Sequence, residues 1–399
     1  MDALTTPLNW QRVRLGDVAE IKRGASPRPI ENPKWFCTNS NVGWVRISDI
    51  SKNSRFLYKT AQKLSKKGIE KSRFIKQNSL IMSMCATIGK PIITKIDTCI
   101  HDGFVVFENP KIDLNYLYYF LCYIEKEWLE SGQQGSQVNL NVDLIKNKEV
   151  FCPKDLNEQI AIANILSGLD RYLYTLDALI LKKESVKKAL SFELLSQRKR
   201  LKGFNQAWQR VRLGDICEFG NGGAYETLIV ENGDFKLISL NSIDIDGNLK
   251  NTMKRVNFYD NSLKQDDIVM VLSDVAHGDF LGLCAVIPSN DYVLNQRMGR
   301  LRIRNDCINI LFLRLYINAN QKYFKMQGQG SSQLNLSKKA IEDFEIPLPP
   351  LNEQIAIANI LSDLDSEIIS LKNKKRQFDN IKKALNHDLM SAKIRVLKK

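Results

Sequence analysis

Two stretches of the chain carry apolar residues at alternating spacings of four and three, the pattern of a long helix that packs along one seam. The first seam consists of Ile162, Leu166, Leu169, Leu173, Leu176, Ile180, Lys183, Lys187, Leu190 and Leu194. The second consists of Ile357, Leu361, Leu364, Ile368, Leu371, Lys375, Phe378, Lys382, Leu385 and Leu389. The first predicts about 48 Å of helix. The lysines in both seams are expected to cost stability while fixing register and partner choice.

A different pattern precedes each helix. Short strand-like runs lie at 43–47, 79–82 and 104–107, and a helix is predicted over 114–130. Pro153 and the proline-rich segment 347–350 end these modules and set the entry into the helices. The sequence therefore predicts an α+β chain in which mixed α/β modules alternate with long helices.

The two halves of the chain repeat one another. Residues 156–167 return letter for letter at 351–362, and residues 10–17 return unchanged at 208–215. A weaker echo relates 132–140 to 328–336. Between the echoes the halves differ almost completely. The chain is thus one scaffold built twice around two different variable modules.

The repeat suggests how the helices pair. Two long amphipathic helices in one chain most simply pack on each other, and we expect an antiparallel coiled coil with pseudo-twofold symmetry that separates the two modules. Alternatively, each helix packs only on its own module or on another copy of the chain.

Composition narrows the class of partner. The 399 residues carry a formal net charge of +14, which favours nucleic acid first and an anionic membrane surface second. A basic surface that only confers solubility is the alternative. The eight cysteines form no Cys-x-x-Cys pair, so we expect reduced thiols rather than zinc or disulfides. Without a predicted signal peptide or membrane span, the protein is expected to be cytoplasmic.

Catalytic motifs are not evident. The string around Gly89 and Lys90 lacks the Walker A frame, and no Asn/Asp-Pro-Pro-aromatic loop occurs. The glycines of segment 219–223 are interpreted as a loop turn. Three histidines, at 101, 277 and 387, show no catalytic spacing. A triad assembled in space is not visible in a sequence, so an unrecognised site stays open at this stage.

Side chains suited to base edges and phosphates collect in loops of both modules. In the first module the predicted DNA-binding residues are Lys22, Arg23, Ser26, Arg28, Arg46, Arg73, Gln134, Ser136 and Gln137. In the second they are Asn221, Tyr225, Asn241, His277, Arg297, Gln329, Ser332 and Gln333. For any single residue, ordinary surface solvation is the alternative. Two dissimilar modules held apart by helices predict a bipartite target whose half-sites lie roughly 34 Å apart.

The alternation of variable modules with near-identical helical regions resembles the specificity subunit of type I restriction-modification enzymes. The resemblance covers essentially the whole chain. It is most specific at 158–170 and 353–365, where the helical regions open, and at the Trp-x-x-Val-x-Leu-Gly-Asp start of each module. Segment 21–24 also matches, whereas segment 218–223 departs from the pattern.

This resemblance implies a division of the chain. Residues 1–153 and 201–347 would be target recognition domains for the two halves of the DNA site, and 154–200 and 348–399 would be helical regions forming the coiled coil. The helical regions would set the spacer and dock two methylation subunits. The docking residues predicted at the openings of the helical regions are Glu158, Gln159, Ile162, Glu353, Gln354 and Ile357.

The resemblance also implies partners and cofactors. Restriction subunits would add translocation and cleavage, and S-adenosylmethionine, ATP and Mg would bind partner subunits rather than this chain. Two other functions stay open at this point: a self-contained DNA methyltransferase or nuclease, and a basic coiled-coil scaffold that binds membranes or RNA without sequence preference.

Overall fold

A computed structural model describes residues 8–51, 55–131, 140–275 and 278–396. Its contacts divide the chain into two compact units. Unit 1 contains residues 1–177 and 373–399, and unit 2 contains residues 178–372. Each unit therefore combines one folded domain with half of each long helix.

The domain of unit 1 is a mixed α/β fold. Its strands are β1 (Trp10–Arg14), β2 (Glu20–Arg23), β3 (Gly43–Val45), β4 (Phe56–Leu57), β5 (Gln62–Lys63), β6 (Arg73–Ile75), β7 (Leu80–Ser83), β8 (Pro91–Thr94), β9 (Thr98–Ile100), β10 (Phe104–Glu108) and β11 (Glu149–Pro153). Its helices are α1 (Leu15–Val18), α2 (Ile47–Ser51), α3 (Lys66–Glu70), α4 (Leu114–Tyr123), α5 (Glu125–Ser131) and α6 (Val142–Asn147), with a 3₁₀ turn at Pro33–Trp35.

These strands form a five-stranded sheet in the order β2-β10-β7-β8-β4, a four-stranded sheet in the order β5-β3-β9-β6, and the pair β1-β11. Pairing is antiparallel except between β3 and β9 and between β4 and β8. The first four residues of β10, Phe-Val-Val-Phe, are all buried, as expected of β-branched and aromatic residues in a central strand. Helix α4 is capped by Asp113 and buries most of its aromatic face.

The domain of unit 2 follows a related plan. Its strands are β12 (Gln209–Arg212), β13 (Cys217–Asn221), β14 (Phe235–Ile238), β15 (Lys254–Val256), β16 (Ile268–Val271), β17 (Ser273–Val275), β18 (Cys284–Val286), β19 (Tyr292–Leu294), β20 (Met298–Ile303), β21 (Gln333–Asn335) and β22 (Glu345–Leu348). The long helix α7 (Leu156–Leu195) lies between the two domains in sequence. The short helices that follow it are α8 (Leu213–Ile216), α9 (Ile310–Ala319), α10 (Gln321–Gln327) and α11 (Lys338–Glu342), with 3₁₀ turns at Glu226–Leu228 and Leu240–Ser242, and the second long helix is α12 (Leu351–Met390).

The sheets of unit 2 have the orders β13-β20-β16-β18 and β15-β14-β19, with the pairs β12-β22 and β17-β21. The pair β12-β22 corresponds to β1-β11 of unit 1, because both join the first and last strands of a domain. The second domain is therefore built on the same frame as the first although its interior sequence differs.

The two long helices run antiparallel within each unit. In unit 1, Leu389 near the end of α12 belongs to the same buried cluster as Ile162 and Leu166 near the start of α7. In unit 2, Leu194 near the end of α7 shares a cluster with Leu361 near the start of α12. The predicted fold, two mixed α/β domains with two long helices in an antiparallel coiled coil and an internal repeat, is confirmed. Within the described ranges, no helix is long and apolar enough to cross a membrane.

The seam lysines point to acidic residues of the opposite helix. Lys183 pairs with Glu367 at 2.7 Å in unit 2, and Lys375 pairs with Asp177 at 2.6 Å in unit 1. Two further pairs, Lys187 with Asp365 and Lys382 with Asp170, occupy equivalent positions of the repeat. Each seam lysine thus forms an ion pair with an acidic residue of the opposite helix. These pairs favour the antiparallel register.

This arrangement predicts a measurable coupling between Lys187 and Asp365. Both side chains are 28% exposed, so a double-mutant cycle with alanine should give about 0.5–1 kcal/mol of coupling in the free energy of unfolding. The coupling should shrink in 1 M salt, where the screening length falls to about 3 Å. Denaturant titration of the four variants measures it, and zero coupling at low salt would contradict the assignment.

Candidate nucleic-acid interface

One edge of the unit 1 domain contains Arg23, Ser26 and Arg28, three of the nine residues predicted in this module to bind DNA. It is formed by residues 23–28, 84–85 and 101–103, hereafter the unit 1 edge. Backbone hydrogen bonds hold it together: Gly24 N donates to Phe104 O at 2.8 Å, and Met84 N donates to Gly103 O at 2.8 Å. A Cβ at position 24 would lie 2.0 Å from His101 O, so only glycine permits this close approach.

Asp102 organises this edge. Its carboxylate accepts hydrogen bonds from Ser26 Oγ at 2.8 Å and from Arg28 Nη2 at 2.7 Å. Its backbone oxygen accepts from Arg23 Nε at 2.7 Å, and Arg73 Nε donates to Arg23 O at 2.5 Å. Although partial burial works in the opposite direction, the Ser26 hydrogen bond and the Arg28 charge hold the pKa of Asp102 below its ordinary value.

Arg46 lies beside this group. It is exposed and donates from Nη1 to Gln62 Oε1 at 3.2 Å. Burial lowers the pKa of neighbouring His101, and the Arg46 charge lowers it further. Nδ1 of His101 accepts the Gly103 N–H at 2.8 Å, which is the bond of a neutral imidazole. The cations of the unit 1 edge therefore come from arginines rather than from histidine.

Lys22 has a different environment from the arginines. It lies on β2, where Glu108 accepts its hydrogen bond at 2.5 Å and Glu20 pairs with it at 3.0 Å. These two carboxylates compensate its charge, so it is less suited to phosphate than Arg23, Arg46 and Arg73, whose side chains donate to neutral oxygens. The predicted residues Gln134, Ser136 and Gln137, and His277 of the second domain, lie outside the described residues.

An equivalent edge exists in unit 2, formed by residues 221–225, 272–275, 295–297 and 329–335, hereafter the unit 2 edge. Leu272 N donates to Arg297 O at 3.1 Å, and Leu336 N donates to Leu272 O at 2.9 Å. These bonds match those of Met84 with Gly103 O and of Leu140 with Met84 O in unit 1. The two domains therefore build the same edge from different residues.

Gly222 repeats the steric role of Gly24. A Cβ at position 222 would lie 2.3 Å from both Asn295 O and Leu294 O. The segment at 218–223, which departs from the family pattern in sequence, thus keeps the one glycine that the close approach requires. The interpretation of segment 219–223 as a loop turn is wrong for Phe219–Asn221, which lie in β13 and pair with β20. Gly222 and Gly223 follow the end of that strand.

The described residues of the set predicted in the second domain lie at or beside the unit 2 edge. Tyr225 donates from its hydroxyl to Asp260 at 2.8 Å and from its N–H to Asn295 Oδ1 at 3.3 Å. Asn241 lies in the 3₁₀ turn after β14, whose last residue accepts a hydrogen bond from Asn295 N. Gln333 begins β21, opposite Val275. The exposed members of the set are Asn221, Asn241, Arg297, Gln329 and Ser332.

Two residues that organise these edges were missed in the sequence. Asp102 and Asn295 each hold their edge together, yet neither belongs to a base-reading pattern. An Asp-Gly pair between two strands is a turn signal, and Asp102 with Gly103, between β9 and β10, fits it. Asn295 gives no comparable signal, because its role comes from contacts with segments far away in sequence.

The six residues predicted to dock methylation subunits are buried inside the two units. Glu158 accepts hydrogen bonds from Asn9 Nδ2 at 2.8 Å and from Trp10 Nε1 at 3.3 Å. Glu353, at the equivalent position, accepts from Trp208 Nε1 at 3.0 Å and from Arg200 Nη2 at 2.6 Å. In each half of the chain, the tryptophan of the repeated segment that begins the domain thus bonds to the glutamate of the repeated segment that begins the long helix. We call this interaction the Trp–Glu clamp.

The following glutamine strengthens each clamp. Gln159 accepts from Asp113 N at 2.8 Å and donates to Pro153 O at 2.8 Å. Gln354 makes the same two bonds, with Asn309 N and Pro349 O, each at 2.8 Å. Asp113 and Asn309 are the N-caps of α4 and α9. Ile162 and Ile357 lie in the apolar cores. All six side chains fix a domain to a helix, and their predicted contact with a partner stays untested.

Known proteins share this architecture. The family model for the type I restriction modification DNA specificity domain matches residues 7–184 and 205–378, and the chain belongs to that family. The MjaVIII type I restriction enzyme specificity subunit of Methanocaldococcus jannaschii is 26% identical, over 99% of this chain and 95% of the relative. The family resemblance inferred from the sequence is confirmed.

Solved structures agree in fold. The S subunit of a type I restriction-modification system from M. genitalium superimposes with a TM-score of 0.64 at 18% identity, covering 97% of each chain. A structure from work on complex assembly and conformational transition of the type I R-M system gives 0.61 at 16% identity, covering 96% of this chain and 98% of that one. Across the described part of the chain, no group of three or more His, Cys, Asp or Glu side chains could hold a metal ion.

The clamp predicts a large cost for Glu353→Ala. Its carboxylate is 0% exposed, and its loss leaves Arg200 and the Trp208 N–H without their partner, which should cost about 3 kcal/mol of unfolding free energy. Glu367→Ala, which removes a 45% exposed ion-pair partner, should cost less than about 1 kcal/mol. Urea denaturation compares them. Equal costs would show that the clamp does not stabilise unit 2.

Proposed function

We propose that this chain is the non-catalytic subunit that gives a type I restriction-modification complex its DNA sequence specificity. The unit 1 edge reads one half of a bipartite target and the unit 2 edge reads the other. The observation that carries the proposal is the pair of edges itself: the same backbone hydrogen bonds present two different sets of polar side chains. A scaffold that binds without sequence preference needs no such difference.

The chemistry of the edges suits DNA. Arginines can bond guanine in the major groove with two donors, and the amides of Asn and Gln can bond adenine in the same way. Asp102 holds Arg28 and Ser26 in fixed positions, which lowers the entropy lost when a base edge is bound. The net charge of +14 adds sequence-independent attraction to phosphate.

The proposed function assigns a role to each part of the chain. We propose recognition domains at 1–153 and 201–347 and helical regions at 154–200 and 348–399, working in the cytoplasm. The coiled coil sets the spacer and docks two methylation subunits, with which restriction subunits assemble. S-adenosylmethionine, ATP and Mg are bound by those partners. The long α7 and α12, and relatives named as specificity subunits, support this division.

The methylation subunits dock on exposed residues beside the buried Trp–Glu clamps. Ile160 and Ile355, at equivalent positions of the repeat, are 38% and 37% exposed. Exposed apolar residues at the same place in both repeats fit two copies of one partner. The alternative function, a self-contained methyltransferase or nuclease, lacks a recognisable catalytic motif in the sequence.

Strand β20 offers a matched test of the unit 2 edge. Arg297 precedes its first residue and Arg304 follows its last residue, so the two exposed arginines flank opposite ends of one strand. In the assembled complex, Arg297→Ala should weaken binding to the cognate target and reduce discrimination at the second half-site by about 1–3 kcal/mol. Arg304→Ala removes the same charge and should leave that discrimination unchanged.

Titrations of the two variants against cognate DNA and against DNA altered in either half-site measure these effects. Loss of discrimination at the first half-site with Arg297→Ala would reassign the domains. If both variants lose the same affinity for every DNA sequence, the unit 2 edge contacts phosphates without reading bases. That result would overturn its proposed role.

A further inference from the structure

A buried polar network joins the unit 1 domain to both long helices. Arg55, directly before β4, is 8% exposed. Its guanidinium donates from Nη1 to Tyr119 Oη at 2.8 Å and to Ser167 Oγ at 2.7 Å. From Nη2 it donates to Asn115 Oδ1 at 2.6 Å. Asn115 and Tyr119 belong to α4 and Ser167 to α7, so one side chain connects three segments.

Asp170 closes the network on the helical side. Its carboxylate accepts from Tyr119 Oη at 2.5 Å and lies 3.9 Å from Arg55 Nη1. Asp170 also pairs with Lys382 of α12. Burial, together with the bond to Asp170, raises the pKa of Tyr119, which keeps its hydroxyl a donor. The network therefore ties the domain to α7 directly and to α12 through one carboxylate.

The equivalent place in unit 2 is built differently. The repeat puts Asp365 where unit 1 has Asp170, and Leu315 of α9 where α4 has Tyr119. Among the described residues, Asp365 pairs with Lys187 alone and receives no donor from the second domain. Arg314 instead donates within its own domain, to Gly247 O at 2.9 Å. A groove of about 870 Å³ lies between that domain and the helices, lined by Asp246, Tyr316, Asp365 and Ile369 among others.

We propose that Arg55 is a positioning residue that fixes the angle between the first recognition domain and the paired helices, and thereby the spacer length that the complex accepts. The inference rests on the proposed function. Directional, charge-assisted hydrogen bonds from Arg55 to α4 and α7 add a second fixed point to that of the Trp–Glu clamp, whereas the apolar contacts around them are non-directional. Among the residues that the structure describes, the unit 2 domain shows no such network and meets its helices through the clamp and apolar packing.

Spacer length is a sensitive readout of that angle. One additional base pair moves a half-site by about 3.4 Å along the DNA axis and turns it by about 36°. A domain held at one angle rejects such a displaced half-site, and a domain free to tilt tolerates it. Loss of the network should therefore relax discrimination between spacers while leaving the contacts to bases intact.

Two substitutions break the network with little change of shape. Tyr119→Phe removes the hydroxyl, and Asp170→Asn removes the charge that faces Arg55 and Lys382. Asp365→Asn is the matched control, because it breaks the repeat-equivalent pair with Lys187 and touches no network. Arg55→Lys keeps the charge but reaches fewer partners, and should give an intermediate effect.

The experiment measures binding of the assembled complex to its target and to the same half-sites with the spacer lengthened or shortened by one base pair. For Tyr119→Phe and Asp170→Asn, the affinity ratio between cognate and altered spacers should fall at least about tenfold, equivalent to ~1.4 kcal/mol. Asp365→Asn should keep the wild-type ratio. Binding to DNA that carries only the first half-site should stay within about twofold of wild type.

Two results would overturn the inference. One is a uniform loss of affinity at every spacer, which is what a purely stabilising role produces. The other is an equal change of ratio for Asp170→Asn and Asp365→Asn. A wild-type complex that binds all spacers alike would instead overturn the proposed bipartite function itself, so the two failures are distinguishable.

Discussion

The Trp–Glu clamp is the interaction on which the rest of each unit depends. A buried carboxylate requires compensating donors, and Glu158 and Glu353 find them in a tryptophan that begins the domain. The adjacent glutamine then binds the N-cap of α4 or α9. The first turn of each long helix is therefore bonded to the domain of its own unit. The C-terminal end of the opposite helix completes the apolar core of that unit. This requirement explains why the Trp-x-x-Val and Asn-Glu-Gln segments are repeated without change while the domain interiors diverge.

The helices and the repeat could be predicted from the sequence, because both rest on local spacing. The four-three pattern predicted the seam from Ile162 to Leu194, and α7 extends over Leu156–Leu195. The clamp could not be predicted, since it joins Trp10 to Glu158 across a separation that no periodicity reports. The same holds for Asp102 and Asn295 at the edges. The exact repetition of the glutamates and glutamines marked them as important, and the structure gives them partners within the chain; their contact with methylation subunits stays a prediction.

The two units use their common frame differently. Both keep a glycine at the edge, Gly24 and Gly222, where a side chain would collide with a neighbouring strand end. Both keep an acidic residue, Asp170 and Asp365, opposite a lysine of the other helix. In the described part of the chain, the first domain reaches that acidic residue with its own donors, Arg55 and Tyr119, and the second domain does not. Divergence has thus changed both the polar side chains of the edges and the way each domain is attached.

We propose that this chain reads both halves of a DNA target and that its partner subunits supply the chemistry. Single-molecule sequencing for methylated bases, in cells that express the chain with its methylation subunits, tests it most directly. The account predicts one split motif with a fixed gap, in which exchange of residues 201–347 for those of a relative changes only the second half. Methylation by this chain without the methylation subunits, or a continuous motif that the exchange leaves unchanged, would contradict it.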